Sequence, residues 1–151
     1  MKQIIQNMKT GETQVIDVSI PVIQPGYLLV QTKASLVSSG TERTLVSFAE
    51  KNLVGKAQSR PDLFKQVLDK AKREGLFSTI NAAFNRLDVP LTLGYSSAGI
   101  VLEIGDEVVG FKPGDRVVCA GGGYAVHAEY ALVPKNLIAH LPDTVNFESG
   151  A

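Results

Sequence analysis

The chain has 151 residues, 44% of them apolar, enough to bury one sizeable core and too apolar for disorder. Fifteen basic and fifteen acidic residues cancel, so net charge gives no reason to expect nucleic acid or an anionic membrane as partner. No apolar run approaches the roughly 20 residues of a membrane span, the N-terminus turns polar at once with no signal-peptide core, and a single cysteine, Cys119, excludes an intrachain disulfide; these features fit a cytoplasmic protein.

Taken in chain order, Lys2 to Gln6 reads as a short strand, Lys9-Thr10-Gly11-Glu12 as a turn, and Thr13 to Val18 as the returning strand of a hairpin. Pro21 and Pro25-Gly26 interrupt the chain before a longer strand, Tyr27 to Ser35, in which Val30, Thr32 and Ala34 share one face and Leu29, Gln31 and Lys33 the other. The pattern then becomes helical. Leu45, Phe48, Ala49 and Leu53 recur at helical spacing. Ser59-Arg60-Pro61-Asp62 carries a helix-start signature, followed by an apolar stripe of Leu63, Phe64, Val67, Leu68 and Ala71, with Asp69 and Arg73 paired on the wet side and Gly75 as a stop. Ser78 can cap another helix with the stripe Ile80, Ala83, Phe84 and Leu87. Residues 43 to 88 therefore read as amphipathic helices inserted into a β framework.

Strand character resumes at Ala98 and runs to Ile104, where Gly105-Asp106 turns the chain. Val108-Val109 and the turn Pro113-Gly114-Asp115 follow, then Arg116 to Cys119, Tyr124 to Val133 and Ile138 to Leu141 as strands. Short strands with frequent Gly and Pro turns indicate a barrel or sandwich and not a βαβ sheet. Asp143 to Ser149 opens a helix capped by Asn146, and the chain stops two residues later. A helix that ends as it nucleates reads as a boundary inside a longer protein.

Candidate chemistry is sparse. Gly105 to Gly110 has P-loop glycine spacing, but Phe111 stands where the lysine must be. Gly121-Gly122-Gly123 precedes a strand and not a helix, so no helix N-terminus faces a pyrophosphate. One cysteine and two separated histidines, His127 and His140, are poor material for zinc. His127 reads as a packed or exposed ring on a strand face, and Cys119 as a small buried hydrophobe at a strand end. Ser38-Ser39-Gly40-Thr41-Glu42 is the densest cluster of small polar side chains. It could set hydroxyls at a barrel rim, although Ser39 or Thr41 capping a helix that begins near Glu42 is the simpler reading.

The order of motifs is more informative than any one of them. Strand, Pro-Gly, strand, Ser39-Gly40-Thr41-Glu42, helices, Pro90 to Val101, Val108 to Val117 and Ala128 to Pro134 together resemble the catalytic domain of medium-chain dehydrogenases/reductases. The resemblance covers residues 1 to 42 and 90 to 151, and Gly94 to Gly114 is its most specific part. It implies a mainly β, GroES-like barrel over residues 1–151 with the helical insertion at about 43–88. It also implies a Rossmann domain of the same full-length chain after residue 151, with NAD or NADP and a small-molecule substrate in the cleft between the two. No cofactor is expected on this stretch alone.

Zinc-dependent members of that family carry cysteine where this chain has Ser39 and His-Glu where it has Tyr95-Ser96, and they carry a cysteine-rich lobe that is missing here. A hydroxyl and a phenol are poor zinc ligands, so the chain resembles the zinc-free, quinone-reductase-like side, with no metal site. Leu36 to Arg43 followed by helices also resembles the two-part oxidoreductases fused to a glucose–fructose oxidoreductase-like domain, which implies a sugar or nucleotide-sugar substrate. By resemblance, Thr41 and Tyr95 are the candidate catalytic hydrogen-bond donors, and Tyr95 could equally be a packing aromatic. Ser39 and Gly40 face the cofactor, while Glu42, Arg43 and Ser96 line the substrate side. The alternative is a non-catalytic binding or assembly module on the same fold. Homo-oligomerisation stays open.

Overall fold

Strand formation follows the β-branched and aromatic runs, and Pro-Gly or Gly-Asp turns delimit them. The computed structural model describes residues 1–7, 12–38, 40 and 90–151. In chain order these form β1 (Lys2–Gln6), β2 (Thr13–Asp17), β3 (Tyr27–Ser35), β4 (Leu91–Thr92), β5 (Ser96–Ile104), β6 (Arg116–Ala120), β7 (Tyr130–Pro134), a 3-10 turn at Lys135–Leu137, β8 (Ile138–His140) and a short helix α1 (Phe147–Gly150). The mainly β class expected from the sequence is the class observed. The helices read over 43–88 lie outside the described residues.

The chain divides into two units. The first comprises Met1–Ile4, Val15–Ser38 and Thr92–Ala151, and the second Ile5–Gln14 and Ser39–Leu91. In the described part of the second unit, the Asn7 amide donates to the Glu12 carbonyl at 2.8 Å, which closes the hairpin that the sequence predicts between β1 and β2. These two strands and β4 form a three-stranded sheet in the order β2-β1-β4.

The first unit is built on a five-stranded antiparallel sheet in the order β7-β3-β5-β6-β8. Leu28, Val30, Val101, Val117, Cys119, Ala125, Ala131 and Val133 form its core, with Phe111, Leu137 and Ile138 packed against them. Burying a Val or Leu side chain contributes about 1.5–3 kcal/mol, so the sheet's inner face is a large source of the first unit's stability. The simple alternation expected along β3 is modified. Leu28, Leu29 and Val30 are all buried, and the β3–β5 register shifts between Leu29 and Val30 and again between Thr32 and Ala34. Leu102 and Lys33 are thereby skipped in the pairing. Each extra residue re-aims the side chains that follow, as bulges do.

The strand expected over 124–133 is shorter. Tyr124 to Glu129 is irregular, and strand structure begins only at Tyr130. The amides of Tyr124 and Ala125 both donate back to the Gly121 carbonyl, at 3.1 and 2.9 Å, and this local turn places Ala125 at 0% exposure in the core. The segment plugs the sheet's inner face and does not extend it.

At the other end, Asn146 caps α1 as expected, its side-chain oxygen accepting from the Ser149 amide at 2.8 Å. Arg116 straps this tail to β6. Its guanidinium donates to the carbonyls of Pro142 (3.1 Å) and Val145, and stands 4.7 Å over the Phe147 ring. Asp143 approaches it at 3.5 Å but is 98% exposed, which makes it the minor partner.

Gly99 marks the tightest approach in the sheet. A Cβ there would collide with the Gln31 backbone carbonyl and lie 2.9 Å from Val30 Cγ1. Neither can yield without breaking the β3–β5 pairing. Gly99→Ala is therefore expected to lower the unfolding free energy by about 3 kcal/mol, measured by urea denaturation, whereas Gly122→Ala, with nothing within 4 Å, should change it little.

Candidate functional site

Three segments of the first unit meet at one end of the sheet. β3 ends at Ser35, Gly94 and Tyr95 lead into β5, and β6 ends at Ala120. Pairing holds them in register: Ser35 is opposite Ser97, Ser97 opposite Cys119, and Ser96 opposite Ala120. Backbone bonds extend this ladder past the strand ends, with the Leu36 amide donating to Ser96 O at 3.0 Å and the Gly121 amide to Tyr95 O at 2.8 Å. Leu36 and Val37, the residues leaving β3, are exposed.

Beneath this rim lies a small buried polar set. Ser97 is 1% exposed and hydrogen-bonds the Cys119 thiol. His127 is 5% exposed, with Nδ1 2.9 Å from Ser35 Oγ. The imidazole lies against Gly94, whose φ is +96°. An added Cβ there would sit 2.6 Å from the His127 amide nitrogen and 3.0 Å from ring atoms Cγ and Nδ1. Both the backbone angle and the space demand glycine.

Among the expected site residues, Tyr95 and Ser96 stand together at the start of β5, both half-buried. Gly40 is exposed, with open space where a Cβ would be. Ser39, Thr41, Glu42 and Arg43 lie outside the described residues. The sequence reading missed two pairs, Ser35 with His127 and Ser97 with Cys119. His127 is a buried, hydrogen-bonded ring in an irregular segment, not a residue on a strand face. The Ser-Ser step at 96–97 was the available signal for the second pair, since alternation puts one serine inward. Nothing local signals the first, whose members are 92 positions apart.

The donor set is one of hydroxyls and a neutral thiol. Burial pushes the Cys119 thiol from its ordinary value of 9.0 up to about 12, against a smaller downward pull from the Ser97 hydrogen bond. Among the described residues no three of His, Cys, Asp and Glu come together as a cluster, and no helix is long and apolar enough to cross a membrane.

The first unit is thus a mainly β domain built on one antiparallel five-stranded sheet. The alcohol dehydrogenase GroES-like domain family matches residues 69–143. A 66-residue stretch is 47% identical to the quinone oxidoreductase of Mus musculus, covering 42% of this chain and 19% of that protein. The quinone oxidoreductase structure from Coxiella burnetii is similar over 100% of this chain and 40% of its own, with a TM-score of 0.64 at 19% identity. The Escherichia coli quinone oxidoreductase complexed with NADPH is similar over 99% of this chain and 36% of its own, with a TM-score of 0.65 at 18% identity. The chain carries a GroES-like domain of the medium-chain dehydrogenase/reductase kind, and it spans about a fifth of the length of the curated relatives it matches (19%).

Cys119 gives two expected outcomes. In the native protein at pH 8 the thiol should resist Ellman's reagent and react once urea unfolds the chain. The folded state keeps a proton that the unfolded state releases between about 9 and about 12. The stability this thiol contributes is therefore complete below pH 9 and declines as pH rises toward 12. Urea titrations at pH 8 and above pH 10 should show that decline in the wild type and a smaller one in Cys119→Ala.

Proposed function

We propose that this chain forms the substrate-side domain of an NAD(P)-dependent, zinc-independent oxidoreductase that reduces the carbonyl of a small molecule or a quinone. The observation that carries this reading is the 47% identity to a quinone oxidoreductase over 66 residues, combined with a sheet end built of hydroxyls. Residues 1–151 would be one GroES-like domain with its insertion at about 43–88, and a Rossmann domain of the same protein would supply the pyrophosphate site. NAD(P)H, when bound, supplies the hydride.

The chain's own part is to bind and orient the substrate and to offer hydrogen bonds to its oxygen. Tyr95, at the start of β5, and Thr41 are the donors assigned to that oxygen. Ser96, Glu42 and Arg43 would face the remainder of the substrate, and Ser39 and Gly40 the cofactor. A sugar or nucleotide-sugar substrate rests on the resemblance of residues 36–43 alone, and a quinone on the likeness to the relatives above.

Zinc does not fit the described donors. Tyr95 and Ser96 offer a phenol and a hydroxyl, the Cys119 thiol is held protonated by burial, and His127 Nδ1 is engaged by Ser35. Zinc requires thiolate, free imidazole nitrogen or carboxylate. Metal analysis of the full-length protein should find well under one zinc per chain, and stoichiometric zinc would overturn this part of the reading.

Fluorescence titration of the full-length protein with NADH and NADPH should show saturable binding of at least one. Binding of neither sinks the oxidoreductase reading. With binding established, Tyr95→Phe and Thr41→Val should each lower turnover, by about a hundredfold for whichever hydroxyl polarises the carbonyl, with little change in nucleotide affinity. Two unchanged variants would remove both donors from the mechanism.

A further inference from the structure

His127 takes no part in the chemistry above, yet described residues bond it on three sides. Its amide donates to Leu93 O at 2.8 Å, its carbonyl accepts from the Ile4 amide at 2.9 Å, and Nδ1 lies 2.9 Å from Ser35 Oγ. Its ring rests against Gly94. Burying an imidazole costs free energy unless its nitrogens are partnered, and a position needing only volume is more readily filled by an aliphatic or phenyl side chain. This ring touches two segments with consequences above it. Ser35 is the last residue of β3, from which Leu36 to Gly40 continues. Gly94 immediately precedes Tyr95. Among the described backbone bonds, the one joining those segments beyond the strand pairing is from the Leu36 amide to Ser96 O.

We propose that His127 is a positioning residue for Tyr95. Its Nδ1 holds Ser35 and its ring supports Gly94, so the end of β3 and the Tyr95 backbone keep one fixed spacing, and the phenol stays within hydrogen-bond reach of the substrate oxygen. This rests on the assignment of Tyr95 as the substrate-facing donor. The geometric demand is strict, because a displacement of about 1 Å at a catalytic group can cost on the order of a hundredfold in rate.

Three variants of the full-length protein separate positioning from packing. His127→Phe keeps a ring and removes its nitrogens. His127→Asn places an amide nitrogen close to the Nδ1 position. Ser35→Ala removes only the partner hydroxyl and is the variant least able to impair folding. With NADPH and p-benzoquinone, Ser35→Ala and His127→Phe should lower kcat about tenfold or more while KM for NADPH stays within about twofold, and His127→Asn should recover most of the loss.

Hydrogen exchange of the substrate-free protein supplies a readout independent of turnover. The Leu36 and Gly121 amides, bonded to Ser96 O and Tyr95 O, should exchange about tenfold faster in Ser35→Ala and His127→Phe. The Gly105 amide, bonded to Tyr27 O at the opposite end of β3, should be unaffected. Unchanged kcat with unchanged exchange overturns the proposal, and so does equal loss in the Phe and Asn variants, which would mark a packing role. A wild-type protein that oxidises neither NADPH nor NADH with p-benzoquinone overturns the quinone-reducing reading instead, and the exchange rates alone then decide whether His127 fixes the Tyr95 segment.

Discussion

The backbone-to-backbone approach of β3 and β5 governs the first unit. At Gly99 the two strands come so close that a methyl group has no place between Gly99 and the Gln31 carbonyl. β3 is also the shared partner of β5 and β7, and β5 of β3 and β6, so the position of every other strand in the sheet is inherited from this pair. The core residues Val30 and Val101 face each other across it. Where the pair ends, Ser35 stands opposite Ser97 and the segment bearing Tyr95 begins. The same contact that orders the hydrophobic interior thus sets where the polar rim lies.

Among the described residues, that rim holds no cluster of metal-ligating side chains. A metal site needs ligands that give up protons readily. Here the thiol is pushed the other way by its apolar surroundings, and its hydroxyl neighbour Ser97 offsets only part of that push. The imidazole is enclosed and committed to a serine. Besides these, the described rim offers a phenol and a hydroxyl, from Tyr95 and Ser96, both hydrogen-bond donors.

The features readable in the sequence are those that local rules decide. Tyr27 to Ser35 was found with its correct limits because a β-branched and apolar run follows Pro25-Gly26, and Asn146 was found as a helix cap because the rule needs only a few neighbouring residues. Features that depend on distant partners were not readable. Tyr124 to Val133 reads as a strand, yet Tyr124 and Ala125 fold back on the Gly121 carbonyl and the chain stays irregular to Glu129, because Ala125 finds a place in the core that no local pattern announces. The register shifts at Lys33 and Leu102 depend on what lies opposite them. Ser96 and Ser97 are adjacent and chemically alike, and only the β5 register makes one half-buried and the other a buried partner of Cys119. The Tyr95–Ser96 pair was found by resemblance, whereas Ser35 and His127 had neither a shared motif nor proximity in sequence to connect them.

The strap at Arg116 has its own consequence. Two of its hydrogen-bond acceptors are peptide carbonyls and its ring contact is to a phenyl group, none of which titrates. Its ionic partner among the described residues, Asp143, is almost wholly solvated. The anchorage of the C-terminal turn should therefore be nearly indifferent to acidity and ionic strength, so that the direction in which the polypeptide leaves β8 stays constant when surface ion pairs elsewhere loosen.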